Sequence, residues 1–344
     1  MKRNVRIVLY GVGVIGSMVA RFLTEKKGIE IVGAIDVAKD KIGKDLGEII
    51  GAKKHLGVTV SAETDTVLKQ ARPDLVIHTT SSFLDKVYPQ LEQIIKHKVN
   101  IVSTCEELSY PYVSSPKLAK ALDKLAKENN VTVLGTGINP GYLMDTLTIA
   151  LTAPCQRIDR IKITRIMDAA TRRVPFQKKI GAGLSVTGFN EKMRTKAITG
   201  HVGLEQSIAM IASALAWKLD KIKVDAAKPV VAKKHVKSEA INVPAGMVAG
   251  LEQCAYGIRD NHEVISLEFQ AYIGAEEEYD AVTIEGIPPI HEKITPCVNG
   301  DVGTIAMVYN AIPKVMNAEA GLVTMKDLPV PSAAVEDMRE YVKE

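Results

Sequence analysis

The chain has 344 residues, of which 46% are hydrophobic and 24% are charged, and its formal net charge is +4. This length exceeds what one hydrophobic core normally organises, so we expect a globular protein of two domains. No apolar run reaches the roughly twenty residues of a membrane span, and a small charge with few aromatic residues argues against nucleic-acid binding.

The first 135 residues alternate short apolar runs with amphipathic stretches. Strands are predicted at 5–10, 30–35, 74–79, 100–104 and 131–135, and helices at 15–26, 84–97 and 116–130. Strands alternating with helices indicate right-handed βαβ units and a parallel sheet. The sequence therefore predicts an α/β first domain of the Rossmann type, over residues 1–137.

The rhythm of the chain changes after about residue 140. A period near two indicates strands with one wet face at 157–167, 236–243, 263–273 and 279–285, with helices at 203–218 and 301–316. We expect a second, α+β domain on an open, mostly antiparallel sheet over residues 138–299. Residues 300–344 are predicted to pack back on the first domain.

A glycine loop joins the first predicted strand to the first helix. Gly11, Gly13 and Gly16 form GxGxxG, which permits a tight turn, a close approach to pyrophosphate and close packing of the helix on the strand. Backbone N–H groups at the helix start favour phosphate. The predicted dinucleotide contacts in this loop are Gly11, Gly13, Val14, Ile15 and Gly16.

An acidic residue, Asp36, ends the second strand about twenty positions after this loop, where a carboxylate can bind ribose hydroxyls. It favours NAD over NADP because it would repel a 2′-phosphate. The neighbouring Lys39, Lys41 and Lys44 would partly offset this repulsion, although we favour a solvated basic face for them.

Loops at the carboxyl ends of the other strands should surround the rest of the cofactor. Thr79, Thr80 and Ser81 either contact the cofactor or cap the helix that comes next. Cys105 lies beside the expected nicotinamide position. Asn139 comes after the last strand, where it would bind the carboxamide or the substrate, or form part of an ordinary turn.

Five segments resemble one family, that of 2,4-diaminopentanoate dehydrogenase and the native amine dehydrogenases. They are GVGVIG at 11–16, STCEE at 103–107, GTGINPGYLMD at 135–145, DAATRRVPFQKKIGAGL at 168–184 and NGDVGTIAMVYNAIP at 299–313. The resemblance implies a dihydrodipicolinate-reductase-like fold. It also implies NAD(P)-dependent oxidative deamination, with 2,4-diaminopentanoate giving 2-amino-4-oxopentanoate and ammonia, a reaction that reverses as reductive amination of ketones.

One departure separates the chain from dihydrodipicolinate reductase itself. That enzyme carries a His-rich strand and a PSGTA turn, whereas residues 161–183 contain neither. An amino-acid biosynthetic reductase of similar fold remains the alternative function, and a non-catalytic dinucleotide-binding protein is a further one.

Amine oxidation needs a group that takes the ammonium proton, since hydride leaves only from the neutral amine. The resemblance implies a glutamate in the 103–107 region, so Glu106 is the first catalytic candidate and Glu107 the second, although the sequence does not assign the role between the adjacent pair. The alternative is a pair of surface acids at a helix start.

The remaining candidates lie in the second domain. The basic cluster of Arg172, Arg173, Lys178 and Lys179 would bind the substrate carboxylate or form a solvated loop. Asp168 would hold the second ammonium group or anchor a strand end. His201 would shuttle a proton at neutral pH or serve as a structural residue, and His78 is expected in the core.

The four cysteines are widely separated and contain no CxxC pair, so neither a metal site nor a disulfide framework is expected. A cytoplasmic protein with reduced thiols is predicted. We expect a homodimer or a larger homo-oligomer, because an open sheet leaves strand edges to cover.

Overall fold

The computed structural model describes residues 2–343 of the chain. It divides into two compact units, Met1–Gly141 with Gly303–Glu344, and Tyr142–Val302. The divisions lie a few residues beyond the positions predicted from the change in pattern.

Strands and helices alternate along much of the chain. The strands are β1 (Val5–Tyr10), β2 (Ile29–Ile35), β3 (Val60–Ser61), β4 (Leu75–His78), β5 (Asn100–Ser103), β6 (Thr132–Gly135), β7 (Arg157–Asp168), β8 (Lys221–Val224), β9 (Lys228–Val231), β10 (Val236–Lys237), β11 (Asn242–Val243), β12 (Val248–Arg259), β13 (His262–Tyr272), β14 (Tyr279–Ile287), β15 (Ile290–Ile294) and β16 (Gly321–Val323). The helices are α1 (Val14–Leu23), α2 (Leu46–Ile49), α3 (Thr64–Ala71), α4 (Leu84–Lys96), α5 (Pro116–Glu128), α6 (Thr146–Leu151), α7 (Val174–Lys179), α8 (Val186–Arg194), α9 (Leu204–Ala214) and α10 (Gly300–Met316). Short 3₁₀ helices occur at Glu106–Ser109, Ala169–Thr171, Met325–Asp327 and Met338–Glu340.

The first unit is built on a parallel sheet in the order β16-β6-β5-β4-β1-β2-β3. The apolar runs of β1 and β4 are almost fully buried, as expected of strands covered on both faces. The strand order reverses between β1 and β4, where open α/β sheets bind their ligands beyond the carboxyl ends of the strands. The predicted Rossmann-type sheet is confirmed.

The second unit is built on a mixed sheet in the order β15-β14-β7-β13-β12-β8, and β9 pairs with β12. Neighbouring strands are antiparallel except for β7 and β13, which run parallel from Ile161 beside Ile265 to Asp168 beside Tyr272. The prediction of a mostly antiparallel sheet is therefore confirmed. Its core lies on one face, where alternate residues of β7, β12 and β13 pack together.

Several details of the second unit differ from the prediction, which also lacks the short strands β8, β9 and β15 and the helices α6, α7 and α8. The alternating run at 236–243 is not one strand, because β10 and β11 are two-residue strands that pair with each other across a turn. The long strand β12 was missed, since glycines at 250 and 257 weaken its alternating pattern. Among the helices of residues 2–343, none has the length and apolar character that a membrane crossing requires.

Candidate active site

The glycine loop between β1 and α1 has two glycines that the fold itself requires. A Cβ on Gly16 would overlap the carbonyl oxygen of Gly11, and Gly11 has φ +94°. Gly13 differs, because a Cβ there would meet no atom within 4 Å. Packing does not explain the missing side chain at Gly13, whereas a phosphate lying against the backbone does. The start of α1 has no side-chain cap, so its N–H groups suit such an anion.

Asp36 stands immediately after β2, beside this loop. Its Oδ2 accepts a hydrogen bond from the Val12 N–H at 2.8 Å and its Oδ1 from the Ala38 N–H at 2.9 Å. Burial acts to raise the pKa of Asp36, but these backbone hydrogen bonds and Lys41 together lower it. The carboxylate is therefore charged at neutral pH and fixed in position. The residues present fit a dinucleotide at this edge of the sheet.

Lys41 reaches back over the same corner. Its Nζ donates to the Val12 carbonyl at 2.8 Å and lies 3.2 Å from Asp36 Oδ2. The prediction of a solvated face is wrong for Lys41, because the loop after β2 turns its side chain back onto the carboxylate five residues earlier. Lys39 and Lys44 are exposed, as predicted.

The hydroxyl groups after β4 are used within the protein. Thr79 Oγ1 donates to the Gly11 carbonyl at 2.7 Å, and Thr80 Oγ1 donates to Gln90 Oε1 at 2.7 Å. Neither caps α4, so the alternative of capping by these threonines is wrong. Ser81 Oγ accepts a long 3.5 Å bond from the Phe83 N–H.

The cap of α4 comes instead from Glu107. Its Oε2 accepts a hydrogen bond from the Leu84 N–H at 2.7 Å, and its own N–H donates to the Ser82 carbonyl at 3.2 Å. A carboxylate at a helix N-terminus is favoured by the unpaired N–H groups there and by the helix dipole. Glu107 thus joins the loop after β5 to the loop after β4.

Glu106 begins the 3₁₀ helix and behaves differently. Its side chain is half-buried, and its carboxylate makes no hydrogen bond or ion pair to another residue within 2–343. Gly135 allows this 3₁₀ helix to lie against β6, because a Cβ at that position would overlap the backbone of Leu108. The structure thus separates the two adjacent acids: one is committed to a helix cap and the other is not.

Cys105 and Asn139 complete the predicted contacts of the first unit. Cys105 is 1% exposed, and burial raises the pKa of its thiol to about 12, so the thiol stays protonated. Its backbone is also bonded within the protein, since its N–H donates to Ser103 Oγ at 3.1 Å and its carbonyl accepts from the Leu108 N–H at 3.1 Å. Asn139 lies in the turn after β6, where the Ile138 N–H donates to Thr304 Oγ1 at 3.4 Å.

In the second unit, the predicted arginine fork is occupied. Arg172 Nε and Nη2 each donate to Asp301 at 3.0 Å, and its guanidinium stacks over Phe176 at 4.1 Å. Both side chains of the Arg172–Asp301 pair are only 8% exposed. Arg173 Nε lies 3.3 Å from the same carboxylate. This geometry opposes the prediction that Arg172 offers its fork to a substrate carboxylate, while Lys178 is exposed and Lys179 is half-buried.

Asp168 and His201 are also held by their own surroundings. Asp168 Oδ1 accepts hydrogen bonds from the Ala170 N–H at 2.9 Å and the Gly274 N–H at 3.0 Å, which matches the predicted alternative of a strand-end anchor. His201 stacks on Phe269 with ring centroids 4.2 Å apart. Burial and then the cations of Lys179, Arg165 and Arg172 lower the pKa of His201 to about 3. The imidazole is neutral at pH 7, which opposes a proton shuttle there.

A second buried ion pair has no counterpart among the sequence predictions. Arg165 is 1% exposed and pairs with Asp280, while its Nη2 donates to the Val298 carbonyl at 2.6 Å. Alternation in β7 predicts an inward side chain at this position, but no local pattern shows that the partner lies 115 residues away. Across residues 2–343, no group of three or more His, Cys, Asp or Glu side chains is arranged to hold a metal ion.

Family models match both parts of the chain. Residues 142–344 match the 2,4-diaminopentanoate dehydrogenase C-terminal domain, and residues 5–108 match the dihydrodipicolinate reductase N-terminus. The chain is 36% identical to the 2,4-diaminopentanoate dehydrogenase of Acetoanaerobium sticklandii, covering 99% of this chain and 98% of that protein.

Amine dehydrogenases are also similar. One from Streptomyces virginiae is 22% identical over 94% of this chain and 96% of that protein. The structure of the amine dehydrogenase from Mycobacterium smegmatis superposes with a TM-score of 0.85 at 30% identity, covering 97% of this chain and 98% of that chain. The fold, the glycine loop with Asp36 and these matches agree. The chain belongs to the 2,4-diaminopentanoate dehydrogenase family of NAD(P)-dependent oxidoreductases.

Proposed function

We propose that the protein catalyses NAD(P)-dependent oxidative deamination of 2,4-diaminopentanoate at C4, giving 2-amino-4-oxopentanoate and ammonia. The observation that carries this proposal is the carboxylate of Glu106, which has no bonding partner within residues 2–343 and stands at the carboxyl edge of the parallel sheet. The chain's 36% identical relative is named for this reaction. The reverse reaction is reductive amination of the ketone.

The chemistry sets what the residues must do. A nicotinamide bound at this edge of the sheet would supply the acceptor for the hydride that leaves the amine-bearing carbon. Glu106 takes the proton of the substrate ammonium beforehand, so that the nitrogen lone pair can form the C=N bond as the hydride departs. Water then adds to the iminium, and the C–N bond breaks to release ammonia and leave the ketone.

Glu106 is assigned the acid–base role and Glu107 a supporting one. Protonation of a carboxylate that already accepts the Leu84 N–H at 2.7 Å would weaken this helix cap, because the negative charge at the helix N-terminus would be lost. Glu106 carries no such commitment among the described residues, so its proton can be exchanged without disturbing α4. The glycine loop, Asp36, Thr79, Thr80 and Asn139 are proposed to hold the cofactor around it.

For the cofactor we propose a preference for NAD that is incomplete. The charged carboxylate of Asp36 disfavours a 2′-phosphate, while Lys41, 3.2 Å from it, supplies a compensating positive charge. NADP is therefore accepted at lower efficiency.

For the substrate carboxylate we propose Arg173 and Lys178 as the cationic contacts. Both arginines lie against Asp301, but the side chain of Arg172 is only 8% exposed, whereas that of Arg173 is 29% exposed and Lys178 is exposed. Asp168 Oδ1 accepts the Ala170 and Gly274 N–H groups, so we propose only its Oδ2 as a contact for the second ammonium group. His201, neutral and stacked, would act as a hydrogen-bonding group.

The alternative of a biosynthetic reductase finds support only in the first unit, since the match to the reductase model ends at residue 108. The residues from 142 onward match the deaminating family. A reductase would reduce a cyclic imine or semialdehyde without ammonia, and a non-catalytic protein would bind NAD without turnover.

The direct test is to incubate the purified protein with 2,4-diaminopentanoate and NAD⁺ at alkaline pH, and to measure both reduced nicotinamide and ammonia. We expect equal amounts of the two products, with simple amines and other diamino acids turned over more slowly. Absence of reduction with every amine of such a panel would overturn the proposal.

We further propose that the protein is a cytoplasmic homodimer or larger homo-oligomer. Alternate residues of β12, namely Glu252, Cys254 and Tyr256, are only half-exposed on the sheet face opposite the core. Light scattering coupled to size exclusion measures the oligomeric state directly, and a monomer at micromolar concentration would contradict it.

A further inference from the structure

His78 ends β4 and is the polar member of an otherwise apolar buried strand, with a side chain that is fully buried. Its Nδ1 lies 2.9 Å from Ser103 Oγ, and its Nε2 lies 2.7 Å from Gln90 Oε1 and 3.0 Å from Thr80 Oγ1. Both ring nitrogens are thus engaged. A buried polar group costs stability unless it is fully hydrogen-bonded, so loss of any of these partners would be costly.

The partners of His78 lie at the end of β5, in the loop after β4 and on α4, around the proposed reaction site. Ser103 Oγ also accepts the N–H of Cys105 at 3.1 Å, and Cys105 directly precedes Glu106. Thr80 belongs to the loop after β4, next to Thr79, which bonds the glycine loop. One imidazole therefore connects the loop that carries Glu106 to the loop that borders the glycine turn.

The connections form a closed circuit. Gln90 lies on α4, and the first amide of that helix at Leu84 is capped by Glu107. Glu107 stands two residues after Cys105, whose N–H donates to Ser103 Oγ, and Ser103 Oγ in turn bonds His78 Nδ1. Because these bonds connect the two loops, a shift of either loop would break at least one of them, and the carboxylate of Glu106 makes none of them.

The proton arrangement results from the partners. Gln90 Oε1 can only accept, so Nε2 carries the proton, and Nδ1 accepts from the Ser103 hydroxyl. Burial lowers the pKa of His78 to about 4, which agrees with a neutral ring at physiological pH.

We infer that His78 is a positioning residue, held as the neutral Nε2–H tautomer, which orients the loop bearing Glu106 through Ser103 and the cofactor-side loop through Thr80. The inference rests on the proposed function, because it assigns Glu106 the proton transfer. The two sides of the ring have separable effects, on turnover through Nδ1 and on cofactor binding through Nε2.

Two variants separate the sides. Asn places a polar atom near the Nδ1 position, and Gln places one near the Nε2 position, whereas Val offers neither. We expect His78→Val to lower kcat at least tenfold and to raise the Kd for NAD⁺ severalfold. His78→Asn should restore most of kcat, and His78→Gln should restore the Kd without restoring kcat. His291→Asn, at an exposed position of β15, is the matched control and should change neither.

The result that would overturn the inference is a kcat and Kd within twofold of wild type for His78→Val, or no difference between the Asn and Gln variants. If the His78 variants do not fold, Ser103→Ala replaces them. It should lower kcat while leaving the NAD⁺ Kd unchanged, and an unchanged kcat would equally contradict the inference.

A readout without turnover keeps this inference distinct from the proposed function. Nitrogen-15 NMR of labelled histidines in the full-length protein should show His78 as a neutral Nε2–H ring between pH 5 and 8. A cationic ring or an Nδ1–H tautomer would overturn the inference even in an active enzyme. Conversely, a protein inactive on all amines with this tautomer in place would contradict only the proposed function.

Discussion

The carboxyl edge of the first unit and the basic segment of the second unit both carry charged residues, but they use them differently. In the second unit, Arg172 and Asp301 satisfy each other, as do Arg165 and Asp280. In the first unit, hydrogen bonds fix the loops and leave the carboxylate of Glu106 without a partner among the described residues. A dense cluster of charges thus indicates structure as readily as binding, and the uncommitted group carries more functional information.

Removing one member of the buried Arg172–Asp301 pair tests whether these charges are structural. Arg172→Met leaves Asp301 buried without its bidentate partner, and we expect a loss of about 3–5 kcal/mol in the free energy of unfolding. Urea unfolding measures it. Lys178→Met, at an exposed position of α7, is the control and should change the free energy by less than about 0.5 kcal/mol. A similar, small change for both variants would show that the Arg172 pair is not structural.

Each unit contains one buried histidine that should make its stability depend on pH. In the folded protein the pKa of His78 is lowered to about 4 and that of His201 to about 3, whereas in the unfolded chain both titrate near 6.5. As pH falls below about 6.5, only the unfolded state takes up these protons, so the folded state loses stability down to about pH 4. The slope is about 1.4 kcal/mol per pH unit for each histidine.

The single tryptophan, Trp217, lies in the second unit and reports on the unit that contains His201. Its fluorescence during urea unfolding should therefore show a loss of stability between pH 6.5 and 4 even in a His78→Asn variant. When the same unfolding is followed by circular dichroism, the free energy of unfolding of the variant should depend less on pH than that of wild type, because the contribution of His78 is gone. If unfolding were independent of pH above 5 in both signals, the buried neutral histidines would be contradicted.

A smaller effect, on the preference between NAD and NADP, is expected from substitutions of Asp36 and Lys41. Asp36→Ser removes the repulsion of a 2′-phosphate while Lys41 remains, so kcat/KM with NADP should rise about tenfold relative to NAD, or about 1.4 kcal/mol. Lys41→Met should shift the preference the other way. Steady-state kinetics with both cofactors measure the ratio, and equal ratios in all three proteins would remove both residues from cofactor selection.

Much of the first unit can be predicted from the sequence alone because its signals are local. The glycine spacing, the apolar runs and Asp36 all lie within a short stretch, and the parallel sheet follows from the alternation of strands and helices. The family resemblance adds the second domain and the reaction class that the matched relatives support.

What the sequence does not predict depends on partners distant in the chain. Glu106 and Glu107 are adjacent and chemically identical, and the contact between Glu107 and Leu84, 23 residues away, distinguishes them. The fork of Arg172 looks available until Asp301, 129 residues later, is placed against it. Such pairings follow from tertiary packing and leave no periodic trace in the sequence.

The different roles of the two adjacent glutamates are measured by kcat of Glu106→Gln and Glu107→Gln at saturating 2,4-diaminopentanoate and NAD⁺. Loss of the acid–base group should reduce kcat by about 10²–10⁴ in Glu106→Gln. Glu107→Gln keeps an oxygen that can accept the Leu84 N–H, so its kcat should fall only a few fold. Equal effects of the two substitutions, or a larger loss in Glu107→Gln, would contradict the account.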